Sequence, residues 1–150
     1  MTPEPDDRWV GPWMLLVRTH TKLWERVEAH MRREYGLTMA RYDVLAHLRM
    51  AGGRLGLGDL AAAIALSPSG LSKLLDRMER SGLIRRKPDP EDARAAFATI
   101  TPRGRELVAR ARDGHHALLR NEFGRALSDR DLADLARIMR KLDRDARPTR

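Results

Sequence analysis

Hydroxyl and basic side chains recur at helical spacing between Ser67 and Arg80, with no catalytic base partner recognisable in the sequence. Such groups suit hydrogen bonding to phosphates and to base edges better than they suit bond-breaking chemistry. Lys73 and Arg77 lie one helical turn apart, and small residues before them would allow a close approach to bases. The residues expected to contact DNA in this segment are Ser67, Pro68, Ser69, Gly70, Ser72, Lys73 and Arg77.

The element predicted to carry these side chains is a short capped helix. Ser67 is a favourable N-cap, Pro68 suits the first helical position, and Gly82 can end the helix in the left-handed conformation. An apolar stripe follows the opposite side of the same segment, at Leu71, Leu74, Leu75 and Met78. A solvated polar face is the ordinary interpretation of such a helix. The shorter amphipathic segment from residue 57 to 66 favours the alternative, a helix-turn-helix.

After Gly82 the pattern changes to two short strands, at residues 83–84 and 97–100. The charged run with two prolines between them predicts a hairpin with a polar tip, so the order matches a winged helix-turn-helix. Arg86 is a further candidate for contact with DNA. Asp92 and Arg94 could pair across the tip and aim an arginine at a narrow minor groove. Their spacing alone favours an exposed ion pair of little energy.

The run from residue 60 to 104 resembles the MarR family of bacterial transcription regulators. The resemblance rests on DLAAAIALSPSGLSKLLDRMERSGLIRR, on the Asp-x-Arg pair of DARAAFATIT, on TPRGREL and, upstream, on LTMARYDVLAHL. It implies a mainly α fold with a small β-hairpin wing, and N- and C-terminal helices that form a homodimer on double-stranded DNA. It also implies that Asp92 orders the wing, that Arg94 enters the minor groove, and that Arg41 replaces a frequent Gln.

The remaining segments are predicted to be helices that serve dimerisation, so that residues 1–150 form one domain. A first helix is expected over residues 12–35, after a loose polar segment at residues 1–11. The DNA-binding lobe spans residues 38–100 and begins with a helix capped by Thr38. Two further helices, capped by Thr101 and Ser128, span residues 101–144. The apolar stripe of the first helix needs a partner, either within the chain or in a two-fold dimer. Gly114 could kink the long helix.

The family resemblance also implies a small aromatic or anionic effector. Residues that could line its pocket are His20, Trp24, Arg41 and His47. For Trp24 a core position is the stronger interpretation, and for His20 an ordinary helix-face position. Arg41 could contact a charged ligand or form a surface ion pair. No metal or cofactor is expected, because neighbouring His115 and His116 point about 100° apart on a helix.

Composition agrees with DNA binding but does not locate the surface. The net charge of +8 and the pI near 10.9 favour nucleic acid, and are also compatible with acidic proteins or a membrane surface. Residues 101–150 hold 13 basic and 8 acidic side chains, so the largest excess lies outside the predicted DNA-binding helix. The absence of Cys excludes disulfides and thiol-based redox sensing. No secretory segment or bilayer-length apolar run is recognisable, and a cytoplasmic protein without a membrane partner is expected.

No enzymatic activity is expected, because the sequence contains neither a phosphate-binding loop nor a nucleophile elbow. The sequence favours a repressor, since a bound dimer most simply blocks polymerase. Two alternatives stay open: a nucleoid-type protein that binds DNA without sequence choice, and a winged-helix module that binds proteins.

Overall fold

The computed structural model describes residues 5–64, 66–90 and 95–145. Within these ranges the chain forms a short 3-10 helix, Pro5–Trp9, six α-helices and three strands. The helices are α1 (Val10–Tyr35), α2 (Met39–Met50), α3 (Leu57–Ile64), α4 (Pro68–Arg80), α5 (Pro102–Gly124) and α6 (Asp129–Asp145). The strands are β1 (Arg54–Gly56), β2 (Ile84–Pro88) and β3 (Ala96–Ile100). This confirms the predicted mainly α fold with a small hairpin, and the chain divides at His115 into two compact units.

The corner between α1 and α2 is fixed by local hydrogen bonds. Gly36 ends α1 with φ of +64°, and its N–H donates to the carbonyl of Arg32. The predicted cap of α2 is confirmed, because the Thr38 hydroxyl accepts the N–H of Arg41 at 3.2 Å. One carboxylate oxygen of Glu28 accepts the N–H of Met39 at 2.7 Å, so α1 also caps α2.

The start of the chain differs from its prediction. The segment predicted to be loose up to residue 11 instead contains the 3-10 helix and the first residues of α1. Pro12 lies in the first turn of α1, where its missing N–H breaks no helical hydrogen bond. The proline therefore does not mark the beginning of the helix, which lies two residues earlier.

The three strands form one antiparallel sheet in the order β1-β3-β2. The hairpin of β2 and β3 was predicted, and its register pairs Ile84 with Ile100 and Pro88 with Ala96. The strand β1 was not predicted, because three residues in a glycine-rich segment are too few to show the alternation of a strand. It is only three residues long, and its pairing with distant β3 matches Arg54 with Thr99. Gly53, with φ of +108°, turns the chain into β1.

The core of the first unit confirms the predicted inward face of α4. Leu71, Leu75 and Met78 are buried, while Leu74 is half-buried. They join buried residues of the other elements: Leu45 and Leu48 of α2, Leu60 of α3, Ile84, Ala98 and Ile100 of the sheet, and Val108 and Ala111 of α5. Because one side of α4 is held in this core, its other side is fixed in direction.

Gly114 allows a close contact between α5 and the end of α1. A Cβ at this position would overlap the hydroxyl of Tyr35 and approach its Cζ at 2.7 Å. Helix α5 continues through Gly114 from residue 102 to residue 124. The structure therefore accounts for this glycine by close packing against Tyr35.

Gly114→Ala is expected to lower the free energy of unfolding by about 1 kcal/mol, because overpacking outweighs the gain in helix propensity. Tyr35→Phe removes the hydroxyl that the new methyl group meets, so the loss should shrink in the Tyr35→Phe background. Urea denaturation of both single variants and of the double variant measures this coupling. An equal loss of stability with and without Tyr35→Phe would show that a side chain at position 114 does not meet the Tyr35 hydroxyl.

Candidate nucleic-acid interface

Helix α4 begins with the predicted cap. Ser67 has extended backbone angles, and its hydroxyl accepts the N–H of Gly70 at 3.2 Å. Pro68 opens the helix, and Gly82, with φ of +70°, follows its end. The first turn is thus held by a hydrogen bond of its own, which fixes where the backbone of the small residues 67–70 lies.

The polar side of α4 is open to solvent. Ser69, Ser72, Lys73 and Arg77 are exposed, on the side opposite the buried stripe. Among the residues the structure describes, no carboxylate lies within ion-pair distance of Lys73 or Arg77. The structure therefore brings these four predicted residues together on one helix face, with two cations that no described acid neutralises.

Arg86 has a different environment from the one predicted. Its Nη2 lies 2.6 Å from Oδ1 of Asp76 and 2.8 Å from Oε2 of Glu79, and its Nε donates to the same Glu79 oxygen at 2.9 Å. The other Glu79 oxygen accepts the backbone N–H of Arg86 at 2.8 Å. A phosphate contact by Arg86 is not supported by this geometry, because two carboxylates of α4 already hold the guanidinium. Arg86 instead ties β2 to the helix.

The hydrogen bonds between Glu79 and Arg86 shift the pKa values of both side chains. Those from the backbone and side chain of Arg86 hold the pKa of Glu79 below its ordinary value of 4.5. The hydrogen bond to Glu79 raises the pKa of Arg86. A carboxyl whose pKa is depressed in the folded state stabilises the fold above its unfolded pKa, and this contribution is lost as the pH falls through the folded pKa.

Glu79→Gln is therefore expected to lower the free energy of unfolding at neutral pH by about 0.5–1 kcal/mol, the range for partly exposed ion pairs. The difference from the unsubstituted protein should shrink as the pH is lowered from 7 past the ordinary glutamate value of 4.5, because protonation of Glu79 then removes its charge. Urea denaturation of both proteins over this range measures it. Parallel pH profiles would show that Glu79 does not support the fold through its charge.

Two of the predicted DNA contacts, Asp92 and Arg94, lie outside the described residues. The structure describes the hairpin on either side of them, where the N–H of Asp89 donates to the carbonyl of Ala95 at 2.9 Å. The roles of Asp92 and Arg94 therefore stay predictions from the family motif.

The four predicted effector residues lie in different surroundings. His20 and Trp24 stack on α1, with ring centroids 5.9 Å apart. The core position expected for Trp24 is wrong for the single chain, because 45% of this side chain is exposed. His47 is half-buried on α2, one turn after Asp43, whose carboxyl pKa is raised by burial.

Arg41 lies in a cleft of about 530 Å³ within the first unit. Its Nη2 donates to the hydroxyl of Ser81 at 2.7 Å, and burial lowers the pKa of the guanidinium. The other charged residues that line the cleft, Arg103, Glu106 and Arg110, come from α5. Sequence reasoning missed these three, because no local pattern indicates that the beginning of α5 faces Arg41.

Neither a metal centre nor a membrane span is found in the described parts of the chain. No three His, Asp or Glu side chains in residues 5–64, 66–90 and 95–145 come together as metal ligands would. None of the helices the structure describes is both long enough and apolar enough to cross a bilayer.

Comparison with known proteins agrees with this geometry. A model of the MarR family matches residues 35–95. AbsC, a MarR family transcriptional regulator from Streptomyces coelicolor, is 30% identical to the chain. Its crystal structure superimposes with a TM-score of 0.84 over 89% of this chain and 90% of AbsC. The chain belongs to the MarR family of transcription regulators.

Two further proteins show how far the similarity extends. Sco3205, a MarR family regulator from the same organism crystallised in complex with DNA, is 26% identical, with a TM-score of 0.88 over 99% of this chain and 92% of Sco3205. The transcriptional activatory protein BadR of Rhodopseudomonas palustris is 32% identical over 113 residues, 71% of this chain and 61% of BadR. The chain spans about three fifths of the length of BadR and of two other curated regulators.

Proposed function

We propose that this MarR-family chain is a sequence-specific DNA-binding transcription regulator. The observation that carries the proposal is the exposed side of α4, with Ser69, Ser72, Lys73 and Arg77 opposite a buried apolar stripe. A helix of this kind fits the major groove, where serine reads several bases and lysine or arginine reads guanine or holds phosphates. DNA in the crystal of Sco3205 supports the same use of the fold here.

The proposed contacts are divided between the helix and the wing. The first turn, with Ser67, Pro68 and Gly70, would bring the backbone close to the bases. Arg94 would enter the minor groove with Asp92 beside it, as the family motif implies. Arg86 takes no part in DNA contact in this proposal, and it fixes the wing strand to α4 through Asp76 and Glu79.

We further propose that the chain acts as a homodimer on a pseudo-palindromic operator. Trp9, Trp13 and Met14 are each 64% exposed in the single chain, which is unusual for large apolar side chains. In the second unit, α6 leaves Ile138 and Leu142 exposed as well. A second copy covering these surfaces would form a two-fold dimer with two recognition helices, and dimers of this kind bind two half-sites about 34–36 Å apart.

Repression, with release by a small aromatic or anionic effector, completes the proposal. The Arg41 cleft supports it, because three arginines and one glutamate give its lining an excess of positive charge. A reporter gene behind the operator measures the direction of regulation: lower expression with the regulator present supports repression, and higher expression supports activation. Arg41→Gln should make an effector such as salicylate less able to release the operator.

The direct test is a binding titration against the duplex upstream of the chain's own gene, with unrelated duplex as competitor, at about 50 and 200 mM salt. Specific binding should survive the competitor, and Arg94→Ala should weaken it by about 1–3 kcal/mol. Arg49→Ala, which removes an exposed arginine from the end of α2, is the matched control. Equal binding to both duplexes would support a nucleoid-type protein. Absence of binding at low salt would support a module that binds proteins.

A further inference from the structure

The outer face of the three-stranded sheet carries cations beside apolar side chains. Side chains alternate along β3, where Ala98 and Ile100 are buried and the intervening Thr99 is half-buried. Arg54 of β1 and Arg85 of β2 both pair with Thr99, so these three residues share one side of the sheet. We call the surface formed by Arg54, Arg85, Lys87, Phe97 and Thr99 the outer sheet face.

The register of the strands sets the spacing of the cations. Arg54 and Arg85 lie on the two strands that flank Thr99, and since neighbouring strands are about 4.8 Å apart, their backbones are separated by about 10 Å. Lys87 follows Arg85 by two residues and lies about 7 Å further along β2. This spacing matches an extended peptide, whose alternate side chains also lie about 7 Å apart on one side.

The cations are exposed and uncompensated. The guanidinium carbon of Arg54 lies 3.7 Å from the centroid of the Phe97 ring, so a cation–π contact holds this arginine over the sheet. In the described ranges, no carboxylate lies within 4.0 Å of a charged nitrogen of Arg54, Arg85 or Lys87. Arg86, between the last two along β2, is turned to the other side and held by α4.

The cleft over the outer sheet face also has apolar walls. It encloses about 610 Å³, and its lining adds Pro88, Pro90, Ile100 and Pro102. Protein–protein interfaces combine an apolar centre with a polar rim, whereas contact with a nucleic-acid backbone depends on cations alone. The combination of cations with apolar walls therefore favours an acidic segment of a protein over a nucleic acid.

The sheet offers a partner its side chains and no free edge. At the outer edge of β2 the N–H of Arg86 donates to Glu79 at 2.8 Å, and Pro88 has no N–H to donate. The other edge strand, β1, is only three residues long. A bound segment would therefore lie across the sheet and be held through its side chains, without becoming a fourth strand.

We propose that the outer sheet face docks an extended acidic segment of another protein, which presents carboxylates and one large apolar side chain on the same side. Arg54, Arg85 and Lys87 bind the carboxylates, and Phe97 and Pro88 contact the apolar side chain. This interaction goes beyond DNA binding, because the sheet forms the surface and α4 takes no part in it. A docked partner would be held beside bound DNA, a consequence that rests on the proposed function.

Fluorescence anisotropy of a labelled peptide, Glu-Ser-Glu-Ser-Phe-Ser-Glu, titrated with the full chain at about 50 mM salt and without DNA, tests the proposal. We expect saturable binding that Arg85→Gln/Lys87→Gln weakens about tenfold. A peptide with Ser in place of Phe should also bind about tenfold more weakly.

Arg140→Gln/Lys141→Gln is the matched control, because it removes one arginine and one lysine charge from exposed positions on α6. Its affinity for the peptide should stay within about twofold of that of the unsubstituted protein. Circular dichroism verifies that each variant is folded.

Three results would overturn the proposal: no saturable binding, an equal loss of affinity in both double variants, or equal affinity for the peptide without Phe. If Arg85→Gln/Lys87→Gln binds the peptide normally but loses duplex affinity with a salt slope smaller by about 1.8, the outer sheet face contacts DNA phosphates instead. Because the titration contains no DNA, failure of the chain to bind an operator would leave its outcome unaffected.

Discussion

Ser72→Glu should reduce operator affinity at least 100-fold, equivalent to about 3 kcal/mol, without unfolding the protein. Ser72 is exposed on α4 between Ser69 and Lys73, so a carboxylate at this position would face the negative charge of DNA. The buried side of the helix and the cap at Ser67 are unchanged, and glutamate favours a helix more than serine does. The loss should therefore come from the contact surface.

Fluorescence anisotropy with labelled operator duplex measures this loss. Ala29→Glu makes the same change of charge on the exposed side of α1 and serves as the control. Its operator affinity should stay within about twofold of that of the unsubstituted protein, because a charge outside α4 acts on DNA only at a distance. Thermal unfolding of both variants verifies the fold. Normal operator affinity for Ser72→Glu would mean that this face of α4 does not lie against DNA.

Gly104→Ala should lower the free energy of unfolding by about 1–3 kcal/mol. A Cβ at this position would overlap the carbonyl oxygen of Leu83 and lie 2.9 Å from Cγ1 of Ile100. The Leu83 carbonyl also accepts the N–H of Thr101 at 3.1 Å, so it cannot move without breaking a contact at the beginning of α5. The methyl group would push the beginning of α5 away from Leu83, which precedes β2, and from Ile100 of β3.

Urea denaturation at constant protein concentration measures the effect, since association would otherwise change the apparent stability. Gly58→Ala is the matched control, because no atom lies within 4 Å of the position of its Cβ. This control should be neutral or stabilise the fold by up to about 1 kcal/mol. Equal stability of Gly104→Ala and the unsubstituted protein would show that α5 does not pack closely against Leu83.

Features that depend on neighbouring residues were predictable from the sequence. The caps at Thr38, Ser67 and Ser128 were all confirmed, and the last of these is reciprocal, since Ser128 and Asp131 exchange hydrogen bonds at 2.9 and 3.3 Å. Each cap depends on a side chain and an N–H group three residues apart. The apolar stripe of α4 was also evident, because its period follows from helix geometry alone.

Features that depend on distant residues were not predictable. The strand β1 owes its conformation to β3, and three residues are too few to show a period. Arg86 resembled a free cation because its acidic partners, Asp76 and Glu79, are spaced along a helix that the sequence does not place beside β2. Trp24 belonged to an apolar stripe, but the stripe does not show whether the same chain or another one covers it.

The candidate DNA-binding face was predictable from the sequence because all of its residues lie on one helix, α4. Ser69, Ser72, Lys73 and Arg77 follow the helical period, and the structure confirms that they share an exposed side. Arg54 and Arg85, which both pair with Thr99, were not recognised as neighbours, because Arg54 reaches Arg85 only through the unpredicted strand. Sheet register, more than sequence distance, brought them together.

The most direct measurement is selection of bound duplexes from a random library by the full chain, followed by sequencing of the bound pool. We expect one enriched motif of two inverted half-sites whose centres lie about 10 base pairs apart, or a multiple of that distance. A pool that is retained on the protein without any enriched motif, or a motif without two-fold symmetry, would contradict a sequence-specific dimer that reads DNA through α4.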